Sequence, residues 1–225
     1  MNAQGKRTGE TAREYAYRMI REQIISLELK PGEAFNDMEF AAKIGVSRTP
    51  VREAVIQLSE ESRIIEIFPQ RGMRIAPIDV ELVEEARSLR VLLEKQIAGM
   101  CCEMATEEDI KWLQENVGLQ EFYMENSRPE MVMQLDDEMH HKLFMICHRE
   151  LTYGMCQKLA IHYDRIRSLS VNTVKDNTII EDHRKIIQFI AEHKKENAMA
   201  QMEKHLSRWQ LNEGKFRQEF PDYFK

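Results

Sequence analysis

Apolar residues recur at three- and four-residue spacing through most of the chain, and two short β-rich stretches break that rhythm. In the first third, the pattern predicts three helices and then two strand-forming runs on either side of a glycine turn. These elements lie at about 11–28, 37–44, 48–60, 64–68 and 73–76. Two short helices joined by a tight turn and followed by a β-hairpin predict a winged helix-turn-helix.

From Asp79 onward the pattern is helical and strand signals are absent. Six helices are predicted, at about 79–104, 106–126, 129–148, 150–173, 178–194 and 196–217. Their short connections favour antiparallel neighbours. We therefore predict a mainly α protein in three parts. These are a flexible N-terminus at 1–9, a winged helix-turn-helix at 10–77 and an all-α antiparallel bundle of about six helices at 78–225.

The stretch 45–54 carries the clearest chemical signal, Gly-Val-Ser-Arg-Thr-Pro-Val-Arg-Glu-Ala. Gly45 ends one helix, and Ser47 or Thr49 can cap the next. Arg48 and Arg52 then lie near the start of the new helix, where the helix dipole favours acidic groups. Basic groups in this position suit a polyanion, because arginine pairs with phosphates and with guanine edges. A basic hairpin tip, Arg71-Gly72, offers a second contact with DNA.

The net charge of −6 is unusual for a DNA-binding protein, but the charge is unevenly divided. Residues 1–78 carry 12 basic and 11 acidic side chains, whereas the remainder carries 20 and 27. A local basic patch on a nearly neutral domain therefore has to supply the attraction to DNA. The sequence lacks a signal-peptide pattern and a membrane-length apolar run. Four cysteines without a CxxC pattern indicate buried, reduced thiols, so we expect a cytoplasmic protein.

Several titratable residues of the helical region fall on predicted buried faces. Asp136 and His140 are four residues apart beside one apolar stripe, while Asp137 and His141 are expected to face solvent. His183 and His205 lie on the buried faces of two further helices. Each histidine taken singly fits an ordinary core residue. Together, three histidines and one aspartate that point inward favour a shared divalent transition metal, because imidazole and carboxylate suit Zn, Ni, Fe or Mn.

Arg90 is a further inward charge, one helical turn before Glu94. It has two interpretations: a buried ion pair with Glu94 that joins helices, or a bidentate grip on the carboxylate of a ligand. His162 also faces inward, and we interpret it as lining of the core.

Two regions of the chain resemble one family. The run Pro31-Gly32, Ala41, Gly45 to Ala54 and Arg71-Gly72 resembles the DNA-binding domain of the GntR family of bacterial repressors. The resemblance implies that the operator is contacted by five residues, Arg48, Thr49, Arg52, Arg71 and Gly72.

The helical region resembles the effector-binding domain of the FadR subgroup of this family, the FCD type. The resemblance implies that a metal, one per chain, is held by Asp136, His140, His183 and His205. It also implies a homodimer that binds an inverted-repeat operator and is released by an effector.

The sequence thus predicts a DNA-binding transcriptional regulator, a repressor by resemblance, that senses a small carboxylate through a metal-containing pocket with Arg90. Two alternatives stay open at this point. One is a metal-dependent enzyme with an accessory DNA-binding head, although no general base or nucleophile pair is visible beyond the proposed ligands. The other is a DNA-binding dimer that responds to no effector. No catalytic residues are predicted.

Overall fold

A computed structural model describes residues 5–173, 178–208 and 213–225, and it divides the chain into two compact units. The first unit contains residues up to Val80 and also Phe220–Lys225, and the second contains Glu81–Glu219. The predicted fold class, a winged helix-turn-helix followed by an all-α region, is confirmed.

The first unit is a three-helix core with a small sheet. Its helices are α1 (Ala12–Ile25), α2 (Asp37–Ile44) and α3 (Arg48–Ser62), and its strands are β1 (Ala34–Phe35), β2 (Ile65–Phe68) and β3 (Gly72–Ile75). A capping box at Thr11 begins α1, and Asn36 caps α2 through two backbone N–H groups. Gly45 ends α2 with φ of 73°, a left-handed conformation that glycine adopts without strain.

The antiparallel sheet has the order β1-β3-β2, so the hairpin has a third, two-residue strand beside it. The sequence did not predict β1, because two residues are too short to show a strand period. A buried apolar cluster from α1, α3 and the sheet holds this unit together; it includes Ile20, Ile24, Val51, Val55, Leu58, Ile65 and Ile75.

The second unit is helical in every part that the structure describes. Its helices are α4 (Val80–Met104), α5 (Glu107–Glu125), α6 (Pro129–Ile146), α7 (Glu150–Thr173), α8 (Thr178–Ala191), α9 (Lys195–Leu206) and α10 (Glu213–Glu219). Their shared apolar core includes Leu113, Met139, Phe144, Ile186, Ile190 and Met202. Among the described residues, no helix has both the length and the apolarity needed to cross a membrane.

Two boundaries differ from the sequence prediction. The predicted helix 196–217 was wrong as one element: α9 ends at Leu206 with Ser207 as its C-cap, and α10 begins at Glu213; part of the predicted helix lies outside the described residues. The C-terminal residues Phe220–Lys225 lie in the first unit, although 78–225 was predicted as one domain. The physical reason is backbone pairing with Ile78, which periodicity of side chains does not reveal.

Candidate DNA-binding surface and metal centre

The exposed start of α3 carries the predicted DNA-contacting residues. Arg48, Thr49 and Arg52 are exposed there, with 56% and 61% of the two arginine side chains accessible. Ser47 occupies the N-cap position, but its side chain makes no capping hydrogen bond. The first N–H groups of α3 therefore lack a side-chain cap beside two cations, an arrangement that attracts a phosphate.

A buried carboxylate holds the two arginines in place. Asp37, at the start of α2, accepts a 3.0 Å hydrogen bond from Arg48 Nε, and its other oxygen lies 3.9 Å from Arg52 Nη1. Asp37 is almost inaccessible, so this anchor is fixed by the fold. Because Asp37 contacts Arg48 through Nε, the terminal nitrogens stay available for a base edge or a phosphate. Sequence reasoning missed Asp37, since an acidic residue in the first turn of a helix is also the ordinary dipole pattern.

The predicted wing residues occupy the turn of the hairpin. Arg71 and Gly72 are both exposed, and Gly72 has φ of 104°, which favours glycine. The Arg71 amide donates to the Phe68 carbonyl at 3.0 Å and closes the turn. The tip therefore presents a cation and a residue without a side chain to any surface that it approaches.

In the second unit, four predicted side chains from three helices meet in the interior. Asp136 and His140 come from α6, His183 from α8 and His205 from α9, and all four are buried. Their possible ligand atoms lie within 4.8 Å of one another. The Nε2 atom of His205 lies 3.3 Å from His183 Nε2 and 3.3 Å from His140 Nε2. Asp136 Oδ1 lies 3.2 Å from His183 Nε2.

This spacing fits a metal ion better than it fits a set of hydrogen bonds. Nitrogen ligands about 2.0–2.1 Å from a tetrahedral zinc lie about 3.3–3.4 Å apart. Three imidazole nitrogens that face one point cannot satisfy each other, because each neutral ring has one donor and one acceptor. The donor set of three imidazoles and one carboxylate is suited to Zn, Ni, Fe or Mn.

A hydrogen bond fixes the orientation of one of these imidazoles, and a carboxylate lies close to a second. Gln120 Oε1 lies 2.9 Å from His183 Nδ1, and the Gln120 amide nitrogen donates to Asn116 at 2.7 Å. The bond to Asn116 directs the carbonyl of Gln120 toward His183, so Nδ1 donates and Nε2 keeps its lone pair for the cluster. Glu94 Oε2 lies 2.5 Å from His140 Nδ1. Such partners orient the imidazoles of metal sites and raise their basicity.

The electrostatics favour the protonation states that bind metal. Burial lowers the pKa of His183 against the opposing effect of Asp136, and burial with the neighbouring imidazoles lowers the pKa of His205 well below its usual value. Burial opposes ionisation of Asp136, but the Arg167 cation and the contact with His183 bring its pKa well below the usual range. At neutral pH His183 and His205 are therefore neutral imidazoles beside an ionised Asp136 carboxylate.

Arg90 forms the ion pair that one of its two predicted interpretations requires. It is buried, and its Nε donates to Glu94 at 2.5 Å, which is the predicted ion pair. Its Nη1 atom, however, is buried and has no hydrogen-bond partner among the described residues. An unsatisfied guanidinium N–H in the interior is costly, so a carboxylate oxygen from a ligand would stabilise it.

A second arginine, Arg167 of α7, was missed. It forms a close ion pair with Asp136 and contacts Asp164 at 2.7 Å and Asp137 at 2.9 Å. The prediction that Asp137 faces solvent was therefore wrong in part, because its half-exposed carboxylate pairs with Arg167. An ion pair between residues on two different helices does not change the spacing of apolar residues along either helix. The sequence therefore did not reveal the contact of Arg167 with Asp136.

The other histidines and the cysteines considered in the sequence analysis pack against neighbouring side chains. His141 was expected to face solvent, but it is half-buried and stacks on Tyr153 with ring centroids 4.4 Å apart. His162 is buried, with its Nδ1 3.4 Å from Arg165 Nη2. The four cysteines are buried free thiols, as expected, and the Sγ atoms of Cys101 and Cys147 lie 3.5 Å apart.

Comparison with known families matches both units. The model for bacterial regulatory proteins of the gntR family matches residues 12–75, and the FCD domain model matches residues 85–208. The chain belongs to the GntR family. It is a transcriptional regulator with a DNA-binding helix-turn-helix and an FCD domain, and the family and its relatives are regulators, not enzymes. The metalloenzyme alternative is therefore set aside for this regulator.

Relatives of the regulator extend over almost its whole length. The HTH-type transcriptional repressor RspR of Escherichia coli K12 is 28% identical over 209 residues, which is 92% of this chain and 91% of RspR. The Nta operon transcriptional regulator of Aminobacter aminovorans is 26% identical over 82% of this chain and 86% of its own.

Solved structures share the fold of the regulator. Escherichia coli McbR/YncC has a TM-score of 0.76 at 18% identity, covering 93% of this chain and 99% of McbR. A GntR regulator from Rhodococcus sp. RHA1 has a TM-score of 0.71 at 16% identity, covering 95% and 99%.

Proposed function

We propose that the regulator is a metal-dependent sensor of a small carboxylate that controls the binding of its winged helix to operator DNA. One divalent transition metal per chain, Zn, Ni, Fe or Mn, is held by Asp136, His140, His183 and His205. The observation that carries this proposal is the convergence of three imidazole Nε2 atoms and one carboxylate, with His205 Nε2 3.3 Å from each of the other two.

A carboxylate is the ligand chemistry that the surroundings of the cluster favour. A bound metal would take carboxylate oxygens as ligands in addition to the four side chains by expanding its coordination beyond four. Arg90 supplies a buried N–H without a partner, and it is joined to the cluster through Glu94, which contacts both Arg90 and His140. A carboxylate bound beside the metal would satisfy the Arg90 guanidinium and add a negative charge near both cations.

DNA binding is assigned to the exposed face of the first unit. Arg48, Thr49 and Arg52 contact bases and phosphates from the recognition helix, and Arg71 with Gly72 contacts the operator from the wing. The regulator acts as a homodimer on an inverted repeat, each winged helix occupying one half-site. Exposed apolar side chains on the helical unit, Leu92, Leu151 and Met155, are available to bury in a dimer. We propose repression as the mode of action, with release by the effector.

The test measures metal and DNA binding on the same preparation. A DNA duplex is selected on the parent protein from a random library, and its affinity is measured by fluorescence anisotropy with Zn²⁺, with a chelator and with Zn²⁺ plus a panel of small mono- and dicarboxylates. We expect one Zn²⁺ per chain and an operator affinity that changes with at least one carboxylate.

Variants separate the sensor from its alternative. His183→Ala should lose both Zn²⁺ binding and the carboxylate response. His141→Gln changes the residue next to the proposed metal ligand His140 on α6, and it should keep both. A parent protein that binds neither metal nor carboxylate, and whose His183→Ala variant keeps full operator affinity, would identify an effector-independent DNA-binding dimer.

A further inference from the structure

The last six described residues belong to the DNA-binding unit, although they follow the whole helical unit in sequence. Phe220–Lys225 group with the winged helix and not with α10, the helix that directly precedes them. The two units are therefore linked by the chain twice, once after Val80 and once before Phe220. The second link is absent from the family-model matches, which end at residue 208.

Backbone hydrogen bonds hold this segment to the DNA-binding unit. The Ile78 amide donates to the Tyr223 carbonyl at 2.7 Å, and the Lys225 amide donates to the Ile78 carbonyl at 3.0 Å. Ile78 and Phe224 thus form a parallel β-bridge, and Ile78 is fully buried. Backbone pairing of this kind is directional, so it fixes the path of the segment as well as its position.

Side chains and a close backbone approach add to the attachment. Lys225 Nζ forms a 2.7 Å ion pair with Asp79, directly beside the bridge. The rings of Phe220 and Tyr223 stack with centroids 5.3 Å apart. A Cβ placed on Gly32, in the turn after α1, would lie 3.7 Å from the Asp222 carbonyl, so the segment passes close to that turn.

The bridge joins the two links to each other. Ile78 lies two residues before Val80, where the first link leaves the DNA-binding unit, and Phe224 lies four residues after the second link enters it. A domain held by one linker can turn about that linker. The DNA-binding unit is instead reached by two links, and the residues beside each link are paired with each other.

The second link also follows the proposed metal ligands closely in sequence. His205 lies near the end of α9, and α10 ends at Glu219, immediately before the segment begins. Phe216 of α10 is fully buried, and α10 belongs to the helical unit. The segment thus follows α10 directly in sequence.

We propose that Phe220–Lys225 form a C-terminal strap that couples the metal-bound state of the helical unit to the DNA-binding unit. The proposal rests on the proposed metal site, since metal binding is the event that the strap transmits. Its alternative is a segment that only covers apolar surface of the winged helix. The two alternatives differ in one respect. A segment that only covers apolar surface has to bind the winged helix, whereas a strap has to bind it and also be connected to α10 by a short stretch of chain.

Slack can be introduced without removing the contacts. A variant with six Gly/Ser residues inserted between Glu219 and Phe220 keeps the strap sequence tethered, so it still docks at high effective concentration. The matched control carries the same insertion between Asn126 and Ser127, in the exposed turn after α5. Hydrogen exchange at the Ile78 amide reports docking, and it should stay protected in both variants but not in a variant truncated after Glu219.

The decisive measurement is the ratio of operator affinities with and without Zn²⁺, using the duplex selected on the parent. Coupling between two sites commonly changes affinity by roughly 5- to 150-fold. We expect the parent and the control to show a ratio in this range. The strap insertion should reduce it to less than about twofold while Zn²⁺ affinity stays unchanged.

Each other outcome counts against the strap. An unchanged ratio in the strap insertion overturns it, and so does an equal loss in the control insertion. If the parent binds Zn²⁺ but its DNA affinity is the same with and without the metal, the strap proposal is overturned and the proposed metal site is retained. Absence of Zn²⁺ binding by the parent overturns the proposed metal site and the strap with it.

Discussion

The two units use the same charged residue types in opposite environments. On the DNA-binding unit, Arg48 and Arg52 are exposed and one buried carboxylate, Asp37, anchors them. In the helical unit, Arg90 and Arg167 are themselves enclosed among carboxylates and imidazoles. An exposed cation remains hydrated until a polyanion arrives, whereas an enclosed cation requires its partners in the folded state.

The difference explains what each unit is able to recognise. In the proposed function, the exposed arginines would gain most of their interaction energy from DNA, and salt would weaken that interaction. The enclosed network leaves Arg90 Nη1 without a hydrogen-bond partner among the described residues, and it places His205 Nε2 3.3 Å from the Nε2 atoms of His183 and His140. The proposed function assigns these atoms a small cation and a carboxylate as ligands.

Loss of a proposed metal ligand should produce the largest effect, and it tests the enclosed cluster of the helical unit. His183→Ala removes a donor that lies close to both His205 and Asp136, so Zn²⁺ affinity measured by calorimetry should fall more than about 100-fold, beyond what outer partners contribute. His141→Gln should leave the affinity unchanged. Equal Zn²⁺ affinity in the parent and His183→Ala would contradict the assigned site.

Loss of an exposed arginine tests the DNA-binding side. Arg52→Ala should weaken binding to the selected duplex by about 1–3 kcal/mol, because it removes a base or phosphate contact. Arg63→Ala, an exposed change at the other end of α3, is the matched control and should have little effect. Anisotropy titrations at fixed salt measure both variants, and similar affinities for the two would argue against the recognition surface.

Acid should destabilise the metal-free protein through the enclosed imidazoles. The pKa values of His183 and His205 are lowered on folding, so the unfolded chain binds more protons below about pH 6.5 and stability falls as pH decreases through that value. Asp136 and Glu94, whose pKa values are also lowered, add their loss only at lower pH, below about 4.5.

Thermal or urea unfolding in the presence of a chelator measures this effect. Between pH 7.5 and 5.5 we expect a loss of about 1–2 kcal/mol, reduced in a His183→Gln/His205→Gln variant. Stability that rises on acidification over this interval would show that the folded cluster takes up protons, contrary to the burial of its imidazoles.

Removal of an orienting carboxylate should have a smaller effect. Glu94→Gln replaces the partner of His140 Nδ1 with a neutral amide, and Zn²⁺ affinity should fall by about tenfold. Glu103→Gln, an exposed change on the same helix, serves as the control. If the Glu94→Gln variant binds Zn²⁺ with the affinity of the parent, Glu94 does not contribute to metal binding, and the site consists of the four ligands alone.

The smallest effect is expected at the anchor of the exposed arginines. Asp37→Asn removes a negative charge near DNA and loosens Arg48 and Arg52, so non-specific binding should strengthen while the preference for the selected duplex falls roughly two- to fivefold. Competition titrations with random-sequence duplex give this ratio. An unchanged preference would mean that Asp37 stabilises α2 and α3 without positioning the arginines.

Sequence predicted the elements and residues that local pattern determines. The helix-turn-helix, the hairpin and the inward faces of α6, α8 and α9 follow from apolar spacing, and that spacing brought Asp136, His140, His183 and His205 together. Gln120, Glu94 and Arg167 act through contacts between helices, whose side-chain pairing no local pattern specifies. Strand β1 and the pairing of Ile78 with Phe224 depend on backbone hydrogen bonds, which leave no trace in residue type at such short length.

X-ray absorption at the metal edge of Zn²⁺-loaded protein tests the central claim most directly. The proposed site predicts nitrogen and oxygen ligands at about 2.0–2.1 Å, with the scattering pattern of several imidazoles. The pattern should weaken in His183→Ala and persist in His141→Gln. A spectrum dominated by sulfur at about 2.3 Å, which would implicate the buried cysteines, or one without imidazole scattering would contradict the claim.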